Sequence, residues 1–189
     1  MTGELRRIAL RPEAAIERFD EWARARGWAL FDELPRGHAA AYERVYKPAG
    51  EASDVAAGWC EEHTVGVRLV WVLGAPGLVA ELEAALPHHP RAELLERAAS
   101  DDLGAAVDAL RALVMLEANL PPSAELLSLY ERFAVHESPV VRRIAIHLGW
   151  AGNWRELLPL VERRREADTT LAEGWGRLAM WLQGADRRA

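Results

Sequence analysis

The sequence predicts a chain in two parts. A small α+β unit of order β-α-β-β-α occupies residues 1–88, and an all-α stack of about three helical hairpins occupies residues 89–189. Three observations predict it. Within His63–Leu73, the residues Val65, Val67, Leu69, Trp71 and Leu73 recur at every second position, the period of a β-strand with one face on a core. After Pro87-His88-His89-Pro90, turn and cap signals cut the chain into six helix-sized segments. The second segment of each pair starts near Asp101, Glu137 and Asp168, steps of 36 and 31 residues. Steps of that size are the mark of a stacked α-solenoid.

The front unit opens with a short apolar run, Glu4 to Leu10, suited to an edge strand. Pro12 is at home at a helix start, where no N–H is required. Ala15, Ile16, Phe19, Trp22 and Ala23 share one helical face, and Gly27 suits the left-handed residue that ends a helix. A loop at Leu34-Pro35-Arg36-Gly37 leads to a strand over Ala39–Lys47, marked by Tyr42, Val45 and Tyr46. Pro48, Gly50 and Ser53 mark the next loop. The strand His63–Leu73 follows, Gly74-Ala75-Pro76-Gly77 stops it, and Leu78–Leu86 makes the second helix. The order resembles a ferredoxin-like sandwich lacking its last strand. That is a likeness of topology and carries no function.

In the helical half, Leu94, Leu95 and Ala98 give the first segment its apolar side. Asp101 or Asp102 caps the second, Ser123 the third, and Ser138 with Pro139 the fourth. Asn153-Trp154-Arg155-Glu156 and Thr170-Leu171-Ala172-Glu173 read as capping boxes for the fifth and sixth. Pro159 then falls in the second turn of the fifth helix, where it is expected to kink it.

The best-signalled stretch is His136–Leu160. Glu137, Pro139, Val141, Arg142, Ala145 and Leu148 are followed by Gly149, Gly152, Asn153 and Leu158-Pro159-Leu160. This run resembles a HEAT repeat, with weaker copies on either side. The resemblance implies an α-solenoid and a role in binding another macromolecule on the concave face. It also implies that Arg142 pairs with a carboxylate of a neighbouring repeat. It implies no chemistry.

Bulk properties narrow the function. Half of the 189 residues are hydrophobic, 28% are charged, and the net charge is −6. Residues 1–50 carry +1, residues 51–136 carry −9 and residues 137–189 carry +2. An acidic middle argues against wrapping a phosphate backbone, so nucleic acid is an unlikely partner. No apolar run approaches the length of a membrane span, no signal-peptide core is present, and a cytoplasmic protein is expected. Cys60 is the one cysteine, so no intrachain disulfide forms.

Two groups of residues carry the functional expectations. Trp59, Glu61, Glu62 and His63 make a candidate ligand site, with Cys60 and Glu62 on one strand face and Glu61 and His63 on the other. One cysteine and one histidine do not complete a tetrahedral metal site, and His88-His89 reads as solvated linker, so no metal or cofactor is expected. His136-Glu137 is a single pair, whereas HEAT-repeat di-iron hydroxylases need several. The arginines of residues 142–177 could hold DNA as in HEAT-like glycosylases, but five acidic residues interleave with them, as on a solvated face. Trp150 and Trp154 bracket the Gly149–Asn153 turn beside Arg142 and Arg143, the residue types of a protein-binding hot spot. The expected function is therefore protein–protein interaction, with an enzyme or ligand-binding protein using Trp59–His63 as the alternative and a weak nucleic-acid binder as the third.

Overall fold

Among the described residues, one five-stranded antiparallel sheet and eight helices make a mixed α/β chain that is 54% helical. The computed structural model describes residues 4–35, 41–50 and 54–184. The chain divides into two compact units, Met1–Arg91 and Ala92–Ala189. Among the described residues, no helix is long and apolar enough to cross a membrane.

The first unit runs β1 (Leu5–Ala9), α1 (Ile16–Ala25), β2 (Trp28–Leu34), β3 (Tyr42–Pro48), β4 (Ala56–Glu62), β5 (Val67–Leu73) and α2 (Gly77–Ala85). The sheet order is β1-β5-β4-β3-β2, antiparallel throughout. Helix α1 therefore leads from the strand at one edge to the strand at the other. Phe19, Trp22 and Ala23 of α1 and Leu82 and Leu86 at α2 close over Ile8, Tyr42, Tyr46, Ala57, Trp59, Val70 and Val72 of the sheet. Phe19 is the hub, stacked on Trp22 at 5.8 Å and edge-on to Tyr46 at 5.7 Å.

This corrects the three-stranded, ferredoxin-like expectation. Two strands carried no readable signal, for different reasons. Strand β2 is an edge strand, exposed from Ala29 to Leu34, with an irregularity in its register between Leu30 and Asp32, so it shows no alternation. Strand β4 is buried on both faces over Ala56–Trp59, and its small residues suit the indole of Trp71, which lies over Gly58. A methyl group at Gly58 would overlap that ring. The long strand expected over His63–Leu73 begins only at Val67, because His63–Gly66 is the turn from β4, with Gly66 at φ +71°. Of the expected strand Ala39–Lys47, residues 39 and 40 lie outside the described residues. So do Arg36 and Gly37 of one expected loop and Ser53 of the next.

The second unit holds α3 (Arg91–Ala99), α4 (Leu103–Glu117), α5 (Ala124–Ala134), α6 (Pro139–Gly152), α7 (Leu158–Ala167) and α8 (Ala172–Gly184). Helix α6 packs against both α4 and α8, while α5 covers α4 and α6, and α7 pairs with α8. Two glycines set the close approaches: a Cβ on Gly149 would strike Tyr130 and Leu178, and one on Gly174 would press on Ile146. Asp102 and Ser123 cap α4 and α5 as expected, accepting from the backbone N–H of Ala105 and Leu126.

Polar devices close the ends of α3, α4 and α6. Asn119 and Asn153 both take left-handed backbone, at φ 59° and 55°, after α4 and α6. They sit 34 residues apart, joined by Asn153 Nδ2 donating to Asn119 Oδ1 at 3.0 Å and Asn119 N–H donating to the Gly152 carbonyl. Arg132 of α5 donates to the carbonyls of Ala98, Ala99 and Ser100, closing the C-terminal end of α3. Asn153 thus ends α6 and does not open a capping box. Trp154 precedes a short 3-10 turn, Arg155–Leu157, and α7 begins at Leu158. Pro159 consequently stands in the first turn of α7, where its missing N–H breaks no bond and it causes no kink. Helix α8 starts at Ala172, one residue past the Thr170 box.

Candidate docking face

Helix α6 is the middle member of the α4, α6, α8 layer, and its outward side chains follow helical spacing. Val140, Arg143, His147 and Trp150 recur at three- and four-residue steps, all exposed. Val140 is 63% exposed and Trp150 37%, with His147 edge-on to the Trp150 ring at 5.6 Å. The stripe carries a guanidinium, an imidazole and two apolar groups, and no carboxylate. On the neighbouring helix, Gly174 opposes Ile146 and Leu178 opposes Gly149. That register sets Trp150 level with the turn holding Arg177 and Trp181, and Met180 and Trp181 are themselves exposed.

Of the four residues expected to bind a partner, Trp150 and Arg143 lie on this stripe and two do not. Trp154 is buried, its ring against Gly152 and its N–H donating to the Glu117 carbonyl at 3.0 Å, so it fastens the end of α6 to the end of α4. Arg142 turns inward. Its Nε donates to Asp168 Oδ2 at 2.6 Å and its Nη1 to the carbonyls of His136 and Glu137. Asp168 ends α7, so Arg142 does join a carboxylate of the next hairpin, but in the interior and not as a surface pair. Trp175 N–H donates to the same carboxylate at 3.1 Å, and Arg164 lies at 3.5 Å. Burial raises the Asp168 pKa, but the hydrogen bonds from Arg142 and Trp175 and the Arg142 charge outweigh it and hold the group at about 2.

In the first unit the four candidate ligand residues separate. Trp59 and Glu61 lie on the helix-covered face of β4, with Trp59 Nε1 donating to Glu61 at 3.4 Å. Glu62 points to the other face and accepts from Thr64, fixing the β4–β5 turn, and His63 is exposed in that turn. Cys60 shares the second face with Glu43 and Glu62. Burial, then those carboxylates, push its thiol up to about 12, so it is a poor nucleophile. Trp71, expected in the core, is half-buried on this second face, donating to Glu43 at 2.6 Å.

The densest polar cluster was not foreseen from sequence. Arg44 of β3 donates to Asp20 of α1 at 2.5 Å and to Glu33 of β2 at 2.8 Å, while Tyr46 and Tyr42 hydroxyls donate to Asp20 and Glu33. Burial and the bond to Glu33 push the Tyr42 phenol up to about 12, and Arg44 and Tyr42 hold the Glu33 carboxyl below its usual range. The period-two run Tyr42, Arg44, Tyr46 was the available signal, but its partners lie 24 and 11 residues away from Arg44. One guanidinium is shared between two carboxylates, a clamp tying the edge strand β2 to α1. Among the described residues, no three metal-binding side chains come together.

No family model, curated protein or solved structure matches this chain.

Proposed function

We propose that this is a protein-interaction module of HEAT-repeat type, in which the layer α4, α6, α8 is the concave wall and α6 supplies the contact. The observation that carries the reading is the exposed stripe Val140, Arg143, His147 and Trp150 at the centre of that layer. Tryptophan and arginine beside apolar neighbours are the side chains that dominate protein interfaces, because they bury large surfaces and also donate hydrogen bonds. The left-handed asparagines 34 residues apart and the Arg142–Asp168 pair between hairpins support the repeat reading. The partner is a protein, met in the cytoplasm. The Trp59–His63 alternative draws less support, since its side chains divide between two sheet faces and a turn.

The test is affinity capture from the native cell with the wild-type chain, Trp150→Glu, Arg143→Glu and a remote control, Glu96→Lys. A protein retained by wild type and control but lost with both α6 variants supports the reading. A partner held equally by all four removes α6 from the interface.

A further inference from the structure

Helix α6 contains no acidic residue. Arg142 is matched in the interior by Asp168, which leaves Arg143 as the one arginine of α6 that faces outward. Among the described residues, Arg143 makes no hydrogen bond or ion pair. The exposed acids of the flanking helices are already taken: Asp108 of α4 pairs with Arg111, and Glu173 of α8 with Arg177, each within its own helix. The stripe on α6 thus holds an unmatched guanidinium next to the His147 imidazole, in a chain whose net charge is −6.

Helices α6 and α8 run parallel and meet at glycines, with Ile146 packed on Gly174 and Leu178 on Gly149. Helical spacing places Arg143 and Trp150 along one side of the seam between them, and Arg177 and Trp181 along the other. At ~1.5 Å rise per residue, Arg143 lies about 10 Å below Trp150 along the axis, and Arg177, Trp150 and Trp181 fall within about one turn. Trp150 is 37% exposed and Trp181 40%.

We infer that this seam takes an acidic amphipathic helix of the partner protein, with its apolar residues on Trp150 and Trp181 and its carboxylates on Arg143 and Arg177, a choice of occupant that rests on α6 being the docking face. Charge complementarity selects it. A basic helix adds to an unmatched cation, and a neutral one covers Arg143 without giving it a counter-ion. The exposed Glu173–Arg177 pair contributes little, so Arg177 is released to an incoming carboxylate at small cost. Charges farther away than about 8 Å are largely screened at physiological salt, so the groups at the seam outweigh the net charge of the chain. A helix suits the spacing, because anchors three and four residues apart on one helix meet those on another.

Selection of random displayed peptides of about 16 residues, roughly four helical turns, against the immobilised chain tests this. Peptides retained by the wild type should carry Asp or Glu between apolar residues spaced three and four apart. Synthetic copies titrated by fluorescence anisotropy should bind Arg143→Glu at least about tenfold more weakly. Glu173→Gln should tighten them roughly two- to fivefold, the scale of the exposed ion pair it removes; binding through apolar contacts alone would leave that variant unchanged. All three side chains at issue face solvent, so circular dichroism should show unchanged helicity. Retained peptides that are basic or without charge preference, no retained peptide, equal binding to Arg143→Glu, or displacement of the peptides by a mixed-sequence oligonucleotide overturns the inference. A protein captured through Trp150 and Arg143 but lacking such an acidic helix removes this occupant and leaves α6 as the docking face. Acidic peptides that bind Trp150→Glu as well as wild type remove the face itself.

Discussion

Replacing Arg142 by methionine isolates the interaction that joins the last two hairpins. The Asp168 side chain is 2% exposed and that of Arg142 12%. Methionine keeps most of the stem volume but leaves the carboxylate with the Trp175 N–H, the Leu171 backbone N–H and the more distant Arg164. Breaking one partner of a buried pair costs about 3–5 kcal/mol, and the remaining contacts place this case near the lower end. Asp168→Asn should cost less, because Arg142 keeps the His136 and Glu137 carbonyls. The double variant should be less destabilised than the two losses added together, by roughly 2 kcal/mol. Acid gives an independent reading. The folded carboxyl is held at about 2, below the ordinary aspartate value of 3.8, so its contribution is present above pH 4 and is lost as pH falls from there through about 2. At ~1.4 kcal/mol per tenfold change in proton affinity, the upper limit is about 2.5 kcal/mol. Urea titrations followed by far-ultraviolet circular dichroism, at neutral pH and near pH 2.5, measure both effects. A cost below about 1 kcal/mol for Arg142→Met, or an additive cycle, would refute the assignment of a buried, coupled pair.

Two further outcomes follow from burial alone. Trp150→Ala should change thermal stability by less than about 1 kcal/mol, whereas Trp154→Ala, which empties the site against Gly152 and frees the Glu117 carbonyl, should cost about 3–5 kcal/mol; equal losses in a melting experiment would contradict the placement of the two rings. Cys60, with its thiol pushed up to about 12, should react slowly with a disulfide reagent at pH 8 in the native chain and rapidly in urea; a fast native reaction would show the thiol to be accessible and ionised.

The helices were largely legible in the sequence because their signals are local. Asp102, Ser123 and Pro139 each mark a boundary within a few residues of their partners. Strands β2 and β4 were not, since one is too exposed and the other too enclosed to alternate. Asn153 was misread for a different reason: the same residue type caps a helix start or, in left-handed backbone, closes a helix end, and only the three-dimensional pairing with Asn119 decides. Trp150 and Trp154 are four residues apart with similar flanks, yet the turn between them sends one outward and the other inward. The Asp20–Arg44–Glu33 clamp was invisible because its parts come from three elements whose adjacency depends on the sheet order.

The two left-handed asparagines also define an exchangeable length of chain. Removing residues 119–152 would join Ala118 directly to Asn153, so α4 would still be followed by a left-handed asparagine and then by α7 and α8. The left-handed residue after α4 would be kept, but the Asn119–Asn153 and Asn119–Gly152 bonds and the Arg142–Asp168 pair would leave with the hairpin. The 34-residue step thus repeats the backbone of the turn and not the contacts that hold consecutive hairpins together.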